Sequence, residues 1–478
     1  MPVRNEFDVI VVGSGPNGLA AAIVMAQAGF TVAVLEGSDT AGGGLRSASL
    51  TQDGFVHDVC SGVHPMAIAS PFFRQLPLTS FGLEWVHPIV PVAHPLNTES
   101  VLLYEDIQAT ANQFGRDAKN YLRLFQPIAE HAEQLLEDIL QPLLRMPQAP
   151  RHLLPFALHA ALPASVLARS TFRTSEARAL FAGIAAHAAL PFTSMGSSSI
   201  GLVLTAIGHQ YGWPFPKGGA QSLADALLGY LKSLGGSVFT SVQIRDLKDL
   251  PDARIKFLDV STNQFLSWTE HLLPWAYRTL LHRYSYGAGV FKIDYALRQP
   301  LPWRDPRTML AGTVHLGGTL EEIERAEWEV NQGRHPERPY VLLAQHTSFD
   351  TSRAPSGKHT LWAYCRVPAH SDVDMTERIE AQIERYAPGF KECILQRASR
   401  HAVGFAAYNP NLIGGDITGG RNTLLQMISR PVPTSTPYRT PLKGIYLCSA
   451  STPPGGGVHG MCGVHAARAA LHDLSYRY

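Results

Sequence analysis

The chain opens on a short β-branched apolar run, FDVIVV at residues 7–12, the pattern of a strand buried on both faces. The turn GSGPNG follows, then the helix-like LAAAIVMAQAG and a second buried-strand run, TVAVLE at 31–36. A complete β-α-β unit is thus predicted within about 30 residues. From 106 to 145 the apolar spacing is helical, as in YLRLFQPIAEHAEQLLEDILQPLL. Residues 146–200 read as short helices joined by proline turns, with few charges. WPFPKGGAQSLADALLGYLKSLGG (213–236) predicts a turn, an amphipathic helix and a stop at Gly235–Gly236. Strands are predicted at 237–244 and 254–261, and strand-like runs recur through 287–365. MTERIEAQIERYAPGF predicts a helix ended by Pro388 and Gly389. The tail reads as strand (GIYLCSA), glycine loop (STPPGGGVHGMCG) and helix (VHAARAALHDL).

Nucleotide-binding elements therefore recur at the start, middle and end of the chain. The expected fold is α/β, α+β overall, with a discontinuous Rossmann-like domain (1–75, 213–285 and 425–478). A substrate domain of mixed sheet and helices (76–212 and 286–424) is expected as the insertion, its helical part apolar.

Composition narrows the function. Of 478 residues 45% are hydrophobic and 17% charged, against about 25% charged in typical soluble domains. Lys plus Arg is 40 and Asp plus Glu 39, a net charge of +1 that argues against nucleic acid as a partner. The five cysteines form no CxxC pair, which speaks for a reducing, cytoplasmic setting and against a redox disulfide. The N-terminal apolar run follows Glu6 and Asp8 and breaks at once on glycine, unlike a signal peptide. Residues 9–35 and 179–216 carry no charge, but Gly, Pro and Ser clusters interrupt both, so neither predicts a spanning helix. Peripheral membrane contact stays open, as does the oligomeric state.

The chemistry lies in the glycine loops. Gly13, Gly15 and Gly18 form GxGxxG between strand and helix, with Pro16 and Asn17 inside the motif. Gly13 permits the tight turn, Gly15 the backbone approach to a diphosphate, and Gly18 close helix–strand packing. Glu36 ends the second strand about 20 residues on, where its carboxylate can accept both ribose hydroxyls of an adenosine. Its charge disfavours a 2′-phosphate. Gly42, Gly43 and Gly44 follow, with Arg46 beyond; Arg46 either reaches a phosphate or the flavin or caps a surface turn. A simple NAD dehydrogenase needs no second glycine loop here, whereas an FAD enzyme must thread its flavin half past the backbone. Near the C-terminus Gly455, Gly456, Gly457 and Val458 lead into a helix expected to begin near Gly463, whose N-terminus could stabilise charge at the flavin N1/O2 edge.

These residues resemble the glutathione-reductase-like FAD superfamily, in particular its phytoene-dehydrogenase-like branch. The likeness runs through DVIVVGSGPNGLAAA, VLEGSDTAGGG, GFVHDVCSGVHP, FPKGGAQSLADAL, GVFKIDYALRQPLPW, NPNLIGGDITGG and STPPGGGVHGMCGVHAARAAL, and covers almost the whole chain. Several segments are most similar to the subgroup typified by pyridine nucleotide-disulfide oxidoreductase domain-containing protein 2. The resemblance implies FAD held by the β-α-β unit, a middle segment and the C-terminal loop, with Val242 and Ile244 beside the adenine. Three positions depart from the pattern: Ser449 for a glycine, Pro453 for a histidine, and His465 for an asparagine.

Catalytic side chains are not specified. His459, within the final glycine loop, is a candidate acid/base or a structural loop histidine. His64, with Cys60 and Ser61, follows the GF..D segment, which in the resembled superfamily passes near the flavin ring; buried packing is the competing role, and a covalent flavin link is the remote one. Asn409, Asn411 and Asp416 either frame the substrate or form Asx turns. The 20 histidines show no HExxH or HxH, so no metal site is expected. The expected activity is an FAD-dependent oxidoreductase moving hydride from an apolar or amphipathic small molecule to flavin, with an unknown acceptor such as oxygen or a quinone. A flavin-dependent isomerase and a non-catalytic binding protein on the same fold are the alternatives. The charge-free HLLPFALHAALPASVLA (152–168) must bury itself against protein, ligand or lipid: it is either plain core or, as the lipophilic substrates of the resembled family imply, the way past Phe156, Leu158 and Leu162 to a lipophilic or aromatic substrate.

Overall fold

The computed structural model describes residues 7–143 and 145–475. Its first sheet has five parallel strands in the order Ile445–Leu447, Ile255–Leu258, Val9–Val12 (β1), Val32–Leu35 (β2) and Ser237–Phe239. Every residue of β1 and β2 is buried, as continuous apolar runs require when both faces are covered. Alternation divides the faces. Val9, Val11, Val32 and Val34 pack with helices Pro16–Gln27 (α1), Gln221–Ser233 and Met461–Ser475. Ile10, Val12, Ala33 and Leu35 pack with Phe265, Leu266 and Trp268 from helix Thr262–Thr269. The Rossmann-like domain thus draws strands from the beginning, middle and end of the chain.

α1 and the C-terminal helix cross so closely that a Cβ on Gly463 would overlap the carbonyl oxygen of Asn17. That helix begins at Met461, earlier than the glycine pattern suggests, because the His459 ring accepts the Met461 N–H at 3.1 Å and so starts the helix before Gly463. The strand expected at 237–244 stops at Phe239: Ser241 turns at φ 59, and Ser241 N and Val242 N donate to Ser38 O and Glu36 O.

A second, seven-stranded mixed sheet is built from both inserted segments. Its order is Ile394–Arg400, Gly289–Leu297, His359–Val367, Val341–Ala344, Ala311–Leu316, Val90–Pro95 and Ser100–Leu103. Only the pairing of Ala311–Leu316 with Val90–Pro95 is parallel. One face packs Phe291, Ile293 and Tyr295 against Ile379 and Ile383 of helix Thr376–Tyr386. On the other, Val92, Leu342, Trp362 and Tyr364 join the core that contains Phe125, Phe181 and Leu202 of the helical layer. The helical stretch 106–145 is three helices, Ile107–Asn112, Ala118–Glu130 and Ala132–Ile139, because Gly115 turns at φ 51 between the first two and His131 leaves helical geometry at φ −114, ψ 21 between the last two.

The charge-free segment forms helices Pro150–Ala160 and Ala164–Thr171, bent by 100° at their junction. Phe156 turns inward at 7% exposure, while Leu154 and Leu158, one helical turn apart, stand 64% and 65% exposed. Among the described residues no single helix is long and apolar enough to cross a membrane.

Candidate cofactor site

The two N-terminal glycine loops stack on each other. Gly13 leaves β1 at φ 95, and its N–H donates to Leu35 O at 2.8 Å. Gly15 precedes α1 without a side-chain cap, and Pro16 occupies the first turn, where a missing N–H costs nothing. A Cβ on Gly18 would overlap Gly13 O. A Cβ on Gly43 would come within 2.8 Å of Gly15 Cα, and Gly42 N donates to Ser14 Oγ at 3.0 Å. The Glu36 carboxylate holds this arrangement. Its Oε2 accepts from Ser14 N (3.0 Å) and Ser14 Oγ (2.6 Å), and its Oε1 from Ser38 N (2.9 Å). Val242 N donates to Glu36 O at 2.8 Å, and the Val242 and Ile244 side chains are partly buried beside the second core layer.

Two polar groups close the cradle. Asn17 Oδ1 is buried without a hydrogen-bond partner. Asp259, at the end of strand Ile255–Leu258, accepts the Gly18 N–H on Oδ2 at 3.0 Å. Burial pushes its carboxyl up to about 7, with Glu36 adding to the rise and the Gly18 N–H opposing it. Sequence reasoning missed Asp259; its signal was the lone acid directly after the apolar run of the strand.

At the C-terminal loop, Gly455 and Gly457 adopt φ 111 and 132, and a Cβ on Gly456 would overlap Thr418 O. Val458 is partly buried against the main core. His459 is buried, its carbonyl accepts Ser70 Oγ at 2.7 Å, and burial pushes its pKa down to about 4. A neutral ring occupied with the Met461 N–H orders the start of the last helix. His64 is also buried and pushed by burial down to about 4; its Nε2 lies 3.1 Å from Ser61 Oγ and its Nδ1 has no partner. Burial raises the Cys60 thiol above its ordinary value, and all five cysteines are free. Arg46 donates from Nε to Gly43 O at 3.0 Å and stacks 4.4 Å from the Tyr408 ring centroid. Asn411 braces the Asp259 segment, donating to Asp259 O (2.9 Å) and accepting from Ser261 N (2.7 Å), while Asn409 Oδ1 accepts the Asn411 N–H at 3.0 Å. Asp416 accepts from Thr418 N, Thr418 Oγ1 and Gly287 N.

A buried network ties Asp58 and Pro216 to the turn at residues 350–353 that follows strand Val341–Ala344 of the second sheet. Arg353 binds Asp58 Oδ2 at 2.6 Å, Asp350 Oδ2 at 3.1 Å and Pro216 O at 2.7 Å. Burial works against an ionised Asp58, but Arg353 and the Ala220 N–H outweigh it and hold the carboxyl below the usual range. Lys292 and Asp294 pair beside it on a strand of the second sheet, near Trp362, whose Nε1 donates to Cys60 O at 3.1 Å. Among the described residues no group of three or more His, Cys, Asp or Glu could hold a metal ion.

The donor set fits FAD. Glu36 would hold the adenosine ribose, the N-terminus of α1 would face the diphosphate region, and Gly455–Val458 would border the flavin. Fold and site together define a Rossmann-like dinucleotide-binding domain carrying an inserted mixed-sheet domain. Residues 11–76 match the family described as NAD(P)-binding Rossmann-like domain. The chain is 26% identical to the rat (Rattus norvegicus) pyridine nucleotide-disulfide oxidoreductase domain-containing protein 2, over 99% of this chain and 94% of that protein. It is 23% identical to one of the subunits of limonene dehydrogenase from Castellaniella defragrans, over 98% of this chain and 95% of that protein. A putrescine oxidase variant shares the fold with a TM-score of 0.61 at 18% identity, over 99% of both chains.

Proposed function

We propose that this chain is an FAD-dependent oxidoreductase of the phytoene-dehydrogenase-like type, acting at C–H or C–N bonds of a lipophilic or aromatic small molecule. The observation that carries the reading is the stacked pair of glycine loops locked by Glu36 through Ser14, a cradle at the start of α1 in which Asp259 takes up the Gly18 N–H. When bound, FAD would supply the hydride-accepting chemistry. The residues of the chain bind and orient. Glu36 and Ser14 fix the adenosine end, while Gly42–Gly44 and Gly455–Val458 allow backbone to lie close to the cofactor. His64 and His459, neutral and buried, keep the surroundings of the cofactor dry and ordered rather than exchanging protons with solvent.

A lipophilic substrate is supported by two features. The helical layer is apolar, and its helix Pro150–Ala160 displays Leu154 and Leu158. One relative carries the name of a limonene dehydrogenase. The same exposed residues suit a cytoplasmic protein that touches a membrane surface to collect its substrate. Oxygen, a quinone or another acceptor would reoxidise the flavin. The test is direct: the protein is purified, its chromophore released by denaturation and identified, and candidate substrates are scored by anaerobic bleaching of the flavin bands. FAD in the extract and bleaching by an apolar substrate are expected. FMN, no flavin after reconstitution, or bleaching by hydrophilic metabolites alone would sink the reading.

A further inference from the structure

Arg430 is 1% exposed, and among the described residues its charge has no partner of opposite sign. Nη1 donates to Ala450 O at 3.2 Å and Nη2 to Asn422 Oδ1 at 3.1 Å, both neutral acceptors. Nε has no hydrogen-bond partner. Asp416, on the neighbouring loop, is already engaged by the three donors from Thr418 and Gly287. Arg353, equally buried, is by contrast paired with two carboxylates, Asp58 and Asp350. A lone guanidinium out of water is costly unless paired, and here the described residues provide no anion.

The place of this charge is informative. A Cβ on Gly455 would overlap Arg430 Nη1, so glycine is what lets the final loop lie directly on the guanidinium. That loop runs into helix Met461–Ser475, which has no acidic residue in its first turn. A buried cation and the positive end of a helix of 15 residues therefore flank the same glycine loop, and among the described residues no carboxylate forms an ion pair with the guanidinium.

We infer that Arg430 is the counter-charge for an anionic group of bound FAD at the Gly455–Val458 loop, acting through the loop backbone as a positioning residue. The inference rests on the reading of this chain as an FAD protein. Reduced flavin is anionic at its pyrimidine edge, and the dinucleotide also carries a diphosphate; the two sources share the chemistry and separate by experiment.

The experiment compares wild type, R430K and R430M reconstituted with FAD. It measures the dissociation constant for FAD, the two-electron midpoint potential of the bound flavin, and the affinity for sulfite, a probe that places negative charge on the flavin ring. If the partner is the pyrimidine edge, R430M loses about tenfold in sulfite affinity, its potential falls by about 30 mV, and FAD affinity stays near wild type. If the partner is the diphosphate, R430M loses about tenfold in FAD affinity with little change in potential. In either case R430K, which keeps the charge, stays close to wild type. A folded R430M equal to wild type in all three measurements overturns the inference, as does an R430K as impaired as R430M. Should R430M not fold, R430Q replaces it in the same three measurements, with the same outcomes supporting or overturning the claim. Wild type that binds no FAD overturns the functional reading itself, whereas FAD-replete variants indistinguishable from wild type overturn only the role of Arg430.

Discussion

Asp259 Oδ2 accepts the backbone N–H of Gly18 at 3.0 Å, so a carboxylate from one strand caps the helix whose start faces the diphosphate site. The contact satisfies an N–H that Gly15 has no side chain to cap, but it sets a negative charge beside the place where two more would bind.

The consequence is a pH dependence. In the unfolded chain this carboxyl loses its proton near 3.8, while in the folded protein burial holds it until about 7. Between those values the folded state binds more protons, so stability falls as pH rises, by up to about 1.4 kcal/mol per unit, and levels off above the folded value. FAD binding should weaken as the pH rises through about 7, because an ionised Asp259 repels the diphosphate. Asp259→Asn keeps the acceptor for Gly18 and removes the charge, so its FAD affinity should be flat from about pH 6 to 8, the window around the folded value, and exceed wild type at the upper end. Flavin fluorescence titrations at several pH values measure this; a wild-type affinity that does not change with pH contradicts it.

The Glu36 carboxylate accepts three protein hydrogen bonds, two of them from Ser14. Glu36→Gln should leave the fold intact and weaken FAD by about tenfold, through weaker hydrogen bonds to the ribose. Glu36→Arg should abolish tight binding, since a cation there can accept neither from Ser14 nor from the ribose. Equal FAD affinity in wild type and both variants would show that Glu36 serves the loop alone.

The glycines divide by what a methyl group would meet. At Gly463 it would overlap Asn17 O, where α1 and the last helix cross, and at Gly44 the nearest atom is Cys60 Cβ at 4.0 Å. Gly463→Ala should therefore destabilise the protein by roughly 1–3 kcal/mol or more. Gly44→Ala should fold normally, so any loss of FAD affinity in it reports the cofactor directly. Thermal melts of the two apo proteins, compared with FAD titrations, check both; a Gly463→Ala melt equal to wild type would refute the packing argument.

Leu154 and Leu158 stand exposed on one face of helix Pro150–Ala160, whereas Phe156 is buried on another. Replacing both leucines by Asp should leave the melting temperature within a degree or two, consistent with surface substitutions of about ±0.5 kcal/mol. It should also reduce sedimentation with liposomes and slow turnover of a membrane-dissolved substrate. Phe156→Asp should unfold the helical layer instead. Unchanged liposome binding in the double variant argues against a membrane-facing role.

Much of this architecture was legible in the chain alone, because its signals are local. β1, the GxGxxG turn, α1 and β2 follow from a buried apolar run, a glycine turn and a helical repeat within one short stretch, and Glu36 sits at a spacing the β-α-β unit dictates. The positive φ values of Gly13, Gly42, Gly43, Gly455 and Gly457 are likewise what glycine runs announce. What only the tertiary structure decided depends on residues far apart in sequence. Asp259 meets Gly18 across 241 positions, and Arg353 meets Asp58 across 295. Arg430 becomes a lone buried cation only because two separate loops fold over it. Helix Pro150–Ala160 shows the same limit from the other side: its sequence is apolar nearly all round, so periodicity could not tell Phe156, which turns in, from Leu154 and Leu158, which turn out. Charge pairing and burial are properties of surroundings, and a sequence specifies surroundings only through the whole fold.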